Sequence, residues 1–300
     1  MSDKLKIAII GLDTSHAVAF PKLFQDPETA PELRIDSMVA TRCMRFETAF
    51  QGKEGLDERQ KYLESIGVEV VTDFDAAVAD CDAIMIEIND PALHLEYFEK
   101  CAKLGKPLFL DKPFAANTAE ARKIMEIAKA NDVRFFTTSS LRYDVDFEAA
   151  LEQNVSPQSA VVWGPVGKAP AGSSIVWYGV HAFEMLARIM GQGAESVSTV
   201  SDGKGYVCTV KYNDGRRGVV ELTCDSPRFG AVIRDDKAQE VLARVSGKVP
   251  FYYCLMLKVE AFFRGTYDGV PLEESLEVMK MLEAAEMSSV SGKAVSLCDI

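Results

Sequence analysis

Histidine is scarce in this 300-residue chain, with three residues, and tryptophan is scarcer, with two. The histidines, His16, His94 and His181, lie far apart and form no recognised metal-ligand spacing, even with Asp13 added to them, so no metal is expected. Basic residues are also short, 33 against 45 acidic ones, and the formal charge of -12 excludes the basic surplus of a nucleic-acid binder. A small anionic ligand would need a local positive site. No apolar run approaches the ~20 residues that span a bilayer, and the run from Ile7 to Ile10 is too short for a signal peptide. The seven cysteines, Cys43, Cys81, Cys101, Cys208, Cys224, Cys254 and Cys298, are odd in number and never spaced as CxxC, as expected of reduced thiols. The expectation is a cytoplasmic protein with neither a membrane nor a nucleic-acid partner. What is present is 48% hydrophobic residues, material for the cores of two domains.

Short β-branched runs alternate with helical patterns through the first half. The pattern predicts strands at Lys6 to Ile10, Leu33 to Ala40, Val68 to Val71, Ala83 to Ile88, Pro107 to Leu110 and Val133 to Thr137. Between them it predicts helices ending near Phe24, over Arg42 to Ile66, Phe74 to Ala79, Leu93 to Leu104 and Thr118 to Ala130. Such alternation argues for a Rossmann-like, doubly wound parallel sheet over residues 1–143. Beyond about Asp144 the chain changes to period-two runs, Tyr206 to Tyr212 and Gly218 to Cys224, joined by the hairpin turn Asn213-Asp214-Gly215. Residues 144–300 therefore read as an α+β domain on a mostly antiparallel sheet. Its helices are predicted at Tyr252 to Phe263 and Leu272 to Ser288, with Gly179 to Met190 between the two halves.

A Rossmann fold places a glycine-rich loop after its first strand so that backbone and helix N-terminus can approach a pyrophosphate. Here the six positions read Gly11-Leu12-Asp13-Thr14-Ser15-His16, and only the first glycine is present. A carboxylate at Asp13 about 4 Å from a phosphate would cost on the order of 1 to 4 kcal/mol, depending on the local dielectric. A protonated His16 or a shifted cofactor pose would offset that charge. The competing reading is that Asp13, Thr14 or Ser15 caps the following helix. At the end of the second predicted strand, Thr41 and Arg42 stand where an acid usually holds the adenosine ribose. An arginine beside a hydroxyl suits a 2′-phosphate, which favours NADP over NAD if a dinucleotide binds; the plain alternative is an exposed arginine at a helix start.

Three further stretches carry a resemblance. They are Asn89-Asp90-Pro91-Ala92-Leu93-His94, then Gly105-Lys106-Pro107-Leu108-Phe109-Leu110-Asp111-Lys112-Pro113, then Trp177-Tyr178-Gly179-Val180-His181-Ala182-Phe183-Glu184. In order and spacing the chain resembles the glucose-fructose oxidoreductase / inositol dehydrogenase (Gfo/Idh/MocA) family along essentially its whole length. The resemblance implies that Asn89, Pro91 and His94 border the nicotinamide side, and that Asp111-Lys112-Pro113 stands for the family's Glu-Lys-Pro. It makes His181 the catalytic histidine, with Trp177 replacing its supporting aspartate and Glu184 a later one. Arg142 is similar to the family's pocket arginine. The resemblance also implies NADP or NAD as cofactor, a small sugar or polyol-like substrate, and a homo-oligomer, dimer or tetramer, formed through the antiparallel sheet.

Lys112 needs no family to stand out. A lysine at the carboxyl end of a parallel strand points into the crevice where open α/β sheets bind ligands, and Pro113 restricts its backbone to extended conformations. There it can hydrogen-bond or protonate a developing alkoxide, unless it merely pairs with Asp111. His181 can take or return the hydroxyl proton, and with Trp177 unable to help, Glu184 or Tyr178 is left to orient its imidazole. The expected activity is hydride transfer between a nicotinamide and a secondary alcohol or carbonyl. The alternative is a redox-inactive relative that binds a ligand, regulates, or acts as a lyase-like enzyme.

Overall fold

In the computed structural model, which describes residues 4–153 and 156–300, the chain divides into two units. The first comprises the residues up to Phe114, Arg122–Thr137 and Tyr252–Pro271. The second comprises Ala115–Ala121, Thr138–Phe251 and Leu272–Ile300.

Along the first part of the chain run β1 (Leu5–Ile10), α1 (His16–Gln25), β2 (Met38–Met44), α2 (Lys53–Ser65), β3 (Glu69–Val71), α3 (Phe74–Val78), β4 (Ala83–Ile86), α4 (His94–Ala102), β5 (Leu108–Leu110), α5 (Thr118–Ala130) and β6 (Phe135–Thr137). The six strands form one sheet in the order β3-β2-β1-β4-β5-β6, every pairing parallel. Strands covered on both faces lack alternation, and accordingly Ile7 to Ile10, Ala83 to Ile86 and Leu108 to Leu110 are continuous buried runs. The second strand lies later than its local pattern suggests. Pro31–Leu33 forms a single tight helical turn, and β2 begins only at Met38, where pairing with Leu5 begins, and ends at Met44 opposite Ile10. Thr41 and Arg42 are therefore mid-strand, and the following helix starts at Lys53 rather than Arg42.

Part of the first unit arrives from far along the chain. The helix Phe251–Phe263 sets the Phe262 ring 4.8 Å from that of Phe136. The Arg134 guanidinium donates to the Phe262 carbonyl at 3.2 Å, and that of Arg264 to the Ser37 carbonyl at 3.1 Å.

In the second unit α6 (Val145–Leu151) and β7 (Pro157–Pro165) precede a wide helical turn, Ile175–Gly179, that runs into α7 (Val180–Met190). Then follow β8 (Ala194–Ser201), β9 (Gly205–Tyr212), β10 (Arg217–Thr223), β11 (Gly230–Asp235) and β12 (Glu240–Arg244). The Phe251–Phe263 helix is α8, and the chain ends with α9 (Leu272–Ser291) and β13 (Val295–Ser296). The sheet order is β12-β11-β7-β10-β9-β8-β13, antiparallel except where β7 meets β10. Gly215, at φ +90°, closes the β9–β10 hairpin. Alternate residues such as Ala160, Val162, Cys208, Val210 and Val220 are buried beneath α7 and α9. The opposite face leaves Val200, Val207 and Leu242 exposed. Among the described residues no helix is long and apolar enough to cross a membrane.

Gly11 joins β1 to the loop before α1 at φ +103°, and a Cβ built there would stand 2.5 Å from the Glu87 carbonyl oxygen. Both the backbone region and the close approach require glycine. Gly11→Ala is expected to lower the unfolding free energy by roughly 1 to 3 kcal/mol, measured by urea denaturation; an unchanged midpoint would contradict this account of the turn.

Candidate active site

Register builds the first unit's site. Ile10, Ile86 and Leu110 are aligned across β1, β4 and β5. The Glu87 and Asp111 N–H groups continue the ladder, donating to Ile10 and Ile86 at 2.8 and 2.9 Å. The next row, at the carboxyl ends where such sheets receive ligands, is therefore Gly11, Glu87 and Asp111. His16, the first residue of α1, brings Nδ1 to 2.6 Å from Asp111 Oδ2 and Nε2 to 3.1 Å from the Tyr252 hydroxyl. Its ring stacks on Phe20 at 5.1 Å. Burial alone would push the Asp111 carboxyl up, but His16 and then Lys112 hold it below the usual range. Glu87, also buried, is driven well above that range by desolvation and then by the charge of Asp111.

In the loop before α1 the capping contact comes from Thr14 alone. Asp13 caps nothing on α1: Oδ1 accepts the Asn89 N–H at 2.8 Å and Oδ2 the Thr48 hydroxyl at 2.8 Å, tying the loop to the end of β4. Desolvation raises its carboxyl, and these two bonds oppose the rise. Ser15 occupies the N-cap without a side-chain bond, while Thr14 Oγ1 accepts the His16 N–H at 3.2 Å. The histidine offered as a counter-charge for Asp13 is held instead by Asp111.

Lys112 follows β5, 6% exposed, with a cis bond to Pro113. Among the described residues its ammonium is in no ion pair, because the neighbouring Asp111 carboxylate is engaged by His16. His94 has both ring nitrogens beside backbone carbonyls. It is 0% exposed, with Nε2 at 2.8 Å from the Ile88 carbonyl and Nδ1 at 3.3 Å from that of Phe114, so it closes the turn that Pro91 begins and Asp90 caps. Thr41 and Arg42 are also displaced from their expected role. The Thr41 hydroxyl lies 3.4 Å from the Ile7 carbonyl, and Arg42 is engaged by Glu69 at 2.9 Å and the Ala79 carbonyl at 2.8 Å. The true end of β2 carries Arg45, which with Phe46, Glu47, Lys53, Gln60 and Thr72 lines an open cleft of about 650 Å³.

The second unit holds the remaining candidates. His181, at the start of α7, places Nδ1 2.7 Å from the Ser139 hydroxyl, with the Tyr178 ring edge-on at 5.2 Å. Glu184, the other candidate to orient that imidazole, has its Oε2 committed to Arg142. The Arg142 Nε and one terminal nitrogen donate to Glu184 Oε2 at 2.9 and 2.7 Å, and the other terminal nitrogen to Glu274 at 2.6 Å. Arg142 is buried, and three of its N–H groups donate to protein carboxylates. Desolvation would lower its pKa, but the two carboxylates outweigh that and raise it.

Four participants escape the sequence reading: Glu87, Ser139, Tyr252 and Glu274. Glu87 does leave a signal, a lone carboxylate in the run Ala-Ile-Met-Ile-Glu-Ile. Tyr252 and Glu274 reach their partners from 236 and 132 residues away, and nothing local marks them.

Residues 5–139 match the GFO_IDH_MocA family model, described as an oxidoreductase family with an NAD-binding Rossmann fold. A myo-inositol 2-dehydrogenase of Thermotoga maritima is 28% identical over 206 residues, 61% of this chain and 59% of that protein. Among solved structures, a probable dehydrogenase from Thermotoga maritima superposes with a TM-score of 0.79 at 17% identity, covering 99% of this chain and 100% of that one. A scyllo-inositol dehydrogenase from Lactobacillus casei, with bound NAD(H) and scyllo-inositol, gives 0.77 at 14%, covering 99% and 100%. The two structural likenesses establish the fold.

Arg142→Met leaves two carboxylates without their counter-charge and is expected to cost about 3 to 5 kcal/mol of stability, read by chemical denaturation. Adding Glu184→Leu should recover part of the loss. A cost below about 1 kcal/mol, the scale of an exposed ion pair, would contradict a desolvated network.

Proposed function

We propose that this chain, whose residues 5–139 match the Gfo/Idh/MocA oxidoreductase family model, is an NAD(P)-dependent oxidoreductase acting on a secondary alcohol or carbonyl of a sugar, polyol or related metabolite. The observation that carries this reading is Lys112, nearly buried and in no ion pair among the described residues, at the ligand-binding end of a parallel sheet. The match to a myo-inositol 2-dehydrogenase supports the substrate class.

The residues present fit a dinucleotide. The cleft of about 650 Å³ is of ordinary size for a small-molecule site, and both oxygens of Asp13 are occupied within the protein, so its carboxylate is not presented bare to a phosphate. Gly11, Thr14 and Ser15 would hold the pyrophosphate, and Asn89 and Asp111 would border the nicotinamide. Arg45 and Lys53, which share Asp57 as their ion-pair partner at 2.8 and 2.6 Å, would stand beside the adenosine ribose and would turn from Asp57 to a 2′-phosphate if NADP is the cofactor. Once bound, the nicotinamide supplies or takes up the hydride. Lys112 hydrogen-bonds the substrate oxygen and stabilises negative charge on it. His181, its ring oriented by Ser139, takes or returns the hydroxyl proton.

A reducing compartment, the cytoplasm, suits the scattered, odd cysteines. A homo-oligomer suits the open sheet face. Val200 pairs with Val207, and Leu242 lies one row away on the same side, beside part-exposed Val161, Val219 and Val232. Light scattering is expected to report a dimer or tetramer; a single monomeric species at micromolar concentration would remove this assembly.

Titration with NADPH and NADH, followed by fluorescence and calorimetry, is expected to give saturable binding, tighter for NADPH. Lys112→Ala should lower kcat/KM at least about 100-fold on any polyol turned over. If neither cofactor produces heat or a fluorescence change at millimolar concentration, hydride transfer is excluded. Lys112 and His181 then serve a ligand-binding, regulatory or lyase-like protein.

A further inference from the structure

One buried cluster of the first unit has the donor set of a metal centre. His16, Glu87 and Asp111 each offer a ligand atom, the three atoms lie within 4.8 Å of one another, and all three residues are buried. The strand register makes Glu87 and Asp111 neighbours in one row, an arrangement in which like charges repel. Neither carboxylate oxygen of Glu87 has a hydrogen-bond partner, although the residue is 0% exposed. Native structures leave few buried polar atoms in that condition, and a missing ion is one of the standard reasons. Lys112 acts on both carboxylates only at longer range, since among the described residues it forms no ion pair.

We propose that His16, Glu87 and Asp111 bind one divalent transition-metal ion of the Zn²⁺ or Mn²⁺ type. An imidazole with two carboxylates suits such ions, whereas Ca²⁺ and Mg²⁺ take oxygen ligands. The ion enters between His16 Nδ1 and the Asp111 carboxylate, which stand 2.6 Å apart. Any proton held on Nδ1 or on either carboxyl group, that of Glu87 included, leaves to solvent, a bond forms from Nδ1 and from each carboxylate to the ion, and no electron is transferred. Nε2 keeps its hydrogen and donates it to the Tyr252 hydroxyl, at 3.1 Å, which fixes the tautomer and the ring plane as an outer partner does in metal sites. Glu87 thereby gains the partner it lacks. Three protein ligands leave a fourth position for an oxygen donor, a water or a ligand hydroxyl. The site needs no nicotinamide, so it stands or falls apart from hydride transfer.

The test uses the full chain, stripped with a chelator, dialysed, and titrated with ZnCl₂ and with MnCl₂ in a calorimeter with no nicotinamide present. One ion per chain is expected, with affinity at least about tenfold weaker in Glu87→Gln and in His16→Ala. Absence of binding by the unaltered protein at millimolar metal overturns the proposal, and so does binding that Glu87→Gln leaves unchanged. If the variants do not fold by circular dichroism, crystals of the unaltered protein grown with the ion decide by anomalous scattering. A peak among the three side chains supports the site, and a peak on other residues, or none, overturns it.

Discussion

The shared register of β1, β4 and β5 is the constraint on which the first unit's chemistry depends. Because Ile10, Ile86 and Leu110 are aligned, the next residues fall in a single row, and a one-residue slip of any strand would turn its member of that row to the opposite face. Gly11 tolerates the close approach of the Glu87 carbonyl because it has no Cβ. Glu87 and Asp111 have side chains that must share the space at the strand ends. The first turn of α1 answers with His16, and the segment after β5 with Lys112. The sheet thus presents a crevice in which negative groups are fixed by backbone hydrogen bonds and positive groups are supplied by the connecting segments.

The second unit resolves the same electrostatic problem with the opposite stoichiometry. One guanidinium, Arg142, is matched by two carboxylates from separate helices, Glu184 of α7 and Glu274 of α9, with every contact between 2.6 and 2.9 Å. A planar fork with several donors can serve two acids at once, which a lysine cannot do. The consequence for His181 is indirect. With Oε2 of Glu184 held by Arg142, the hydroxyl of Ser139 is what meets Nδ1. A hydroxyl orients an imidazole but stabilises its charged form less than a carboxylate would.

Much of this fold is legible in the sequence because its strands are short and apolar and its helices periodic. The helix Thr118–Ala130 and the hairpin at Asn213-Asp214-Gly215 follow directly from local pattern. The second strand does not, since its limits are set by pairing with β1, and a charged residue such as Arg42 is acceptable mid-strand when Glu69 on β3 lies beside it. The places of Lys112 after a strand and of His181 at a helix start were legible. The partners that determine what those positions can do were not. Tyr252, Ser139 and Glu274 meet their histidine or arginine through the tertiary fold, and the apparent availability of Arg142 ended with two acids distant in sequence.

The long return of α8 bears on how the protein is made. Residues Tyr252–Pro271 complete a unit that otherwise ends at Thr137, and they supply the Phe262 ring, the carbonyl that Arg134 caps, and the Tyr252 hydroxyl on His16. During synthesis the amino-terminal sheet leaves the ribosome first, but the surface around Phe136 waits uncovered until most of the chain has emerged. At the elongation rates typical of translation, about 5 to 20 residues per second, that interval is several seconds. The nascent first sheet therefore carries an uncovered aromatic surface throughout the making of the second.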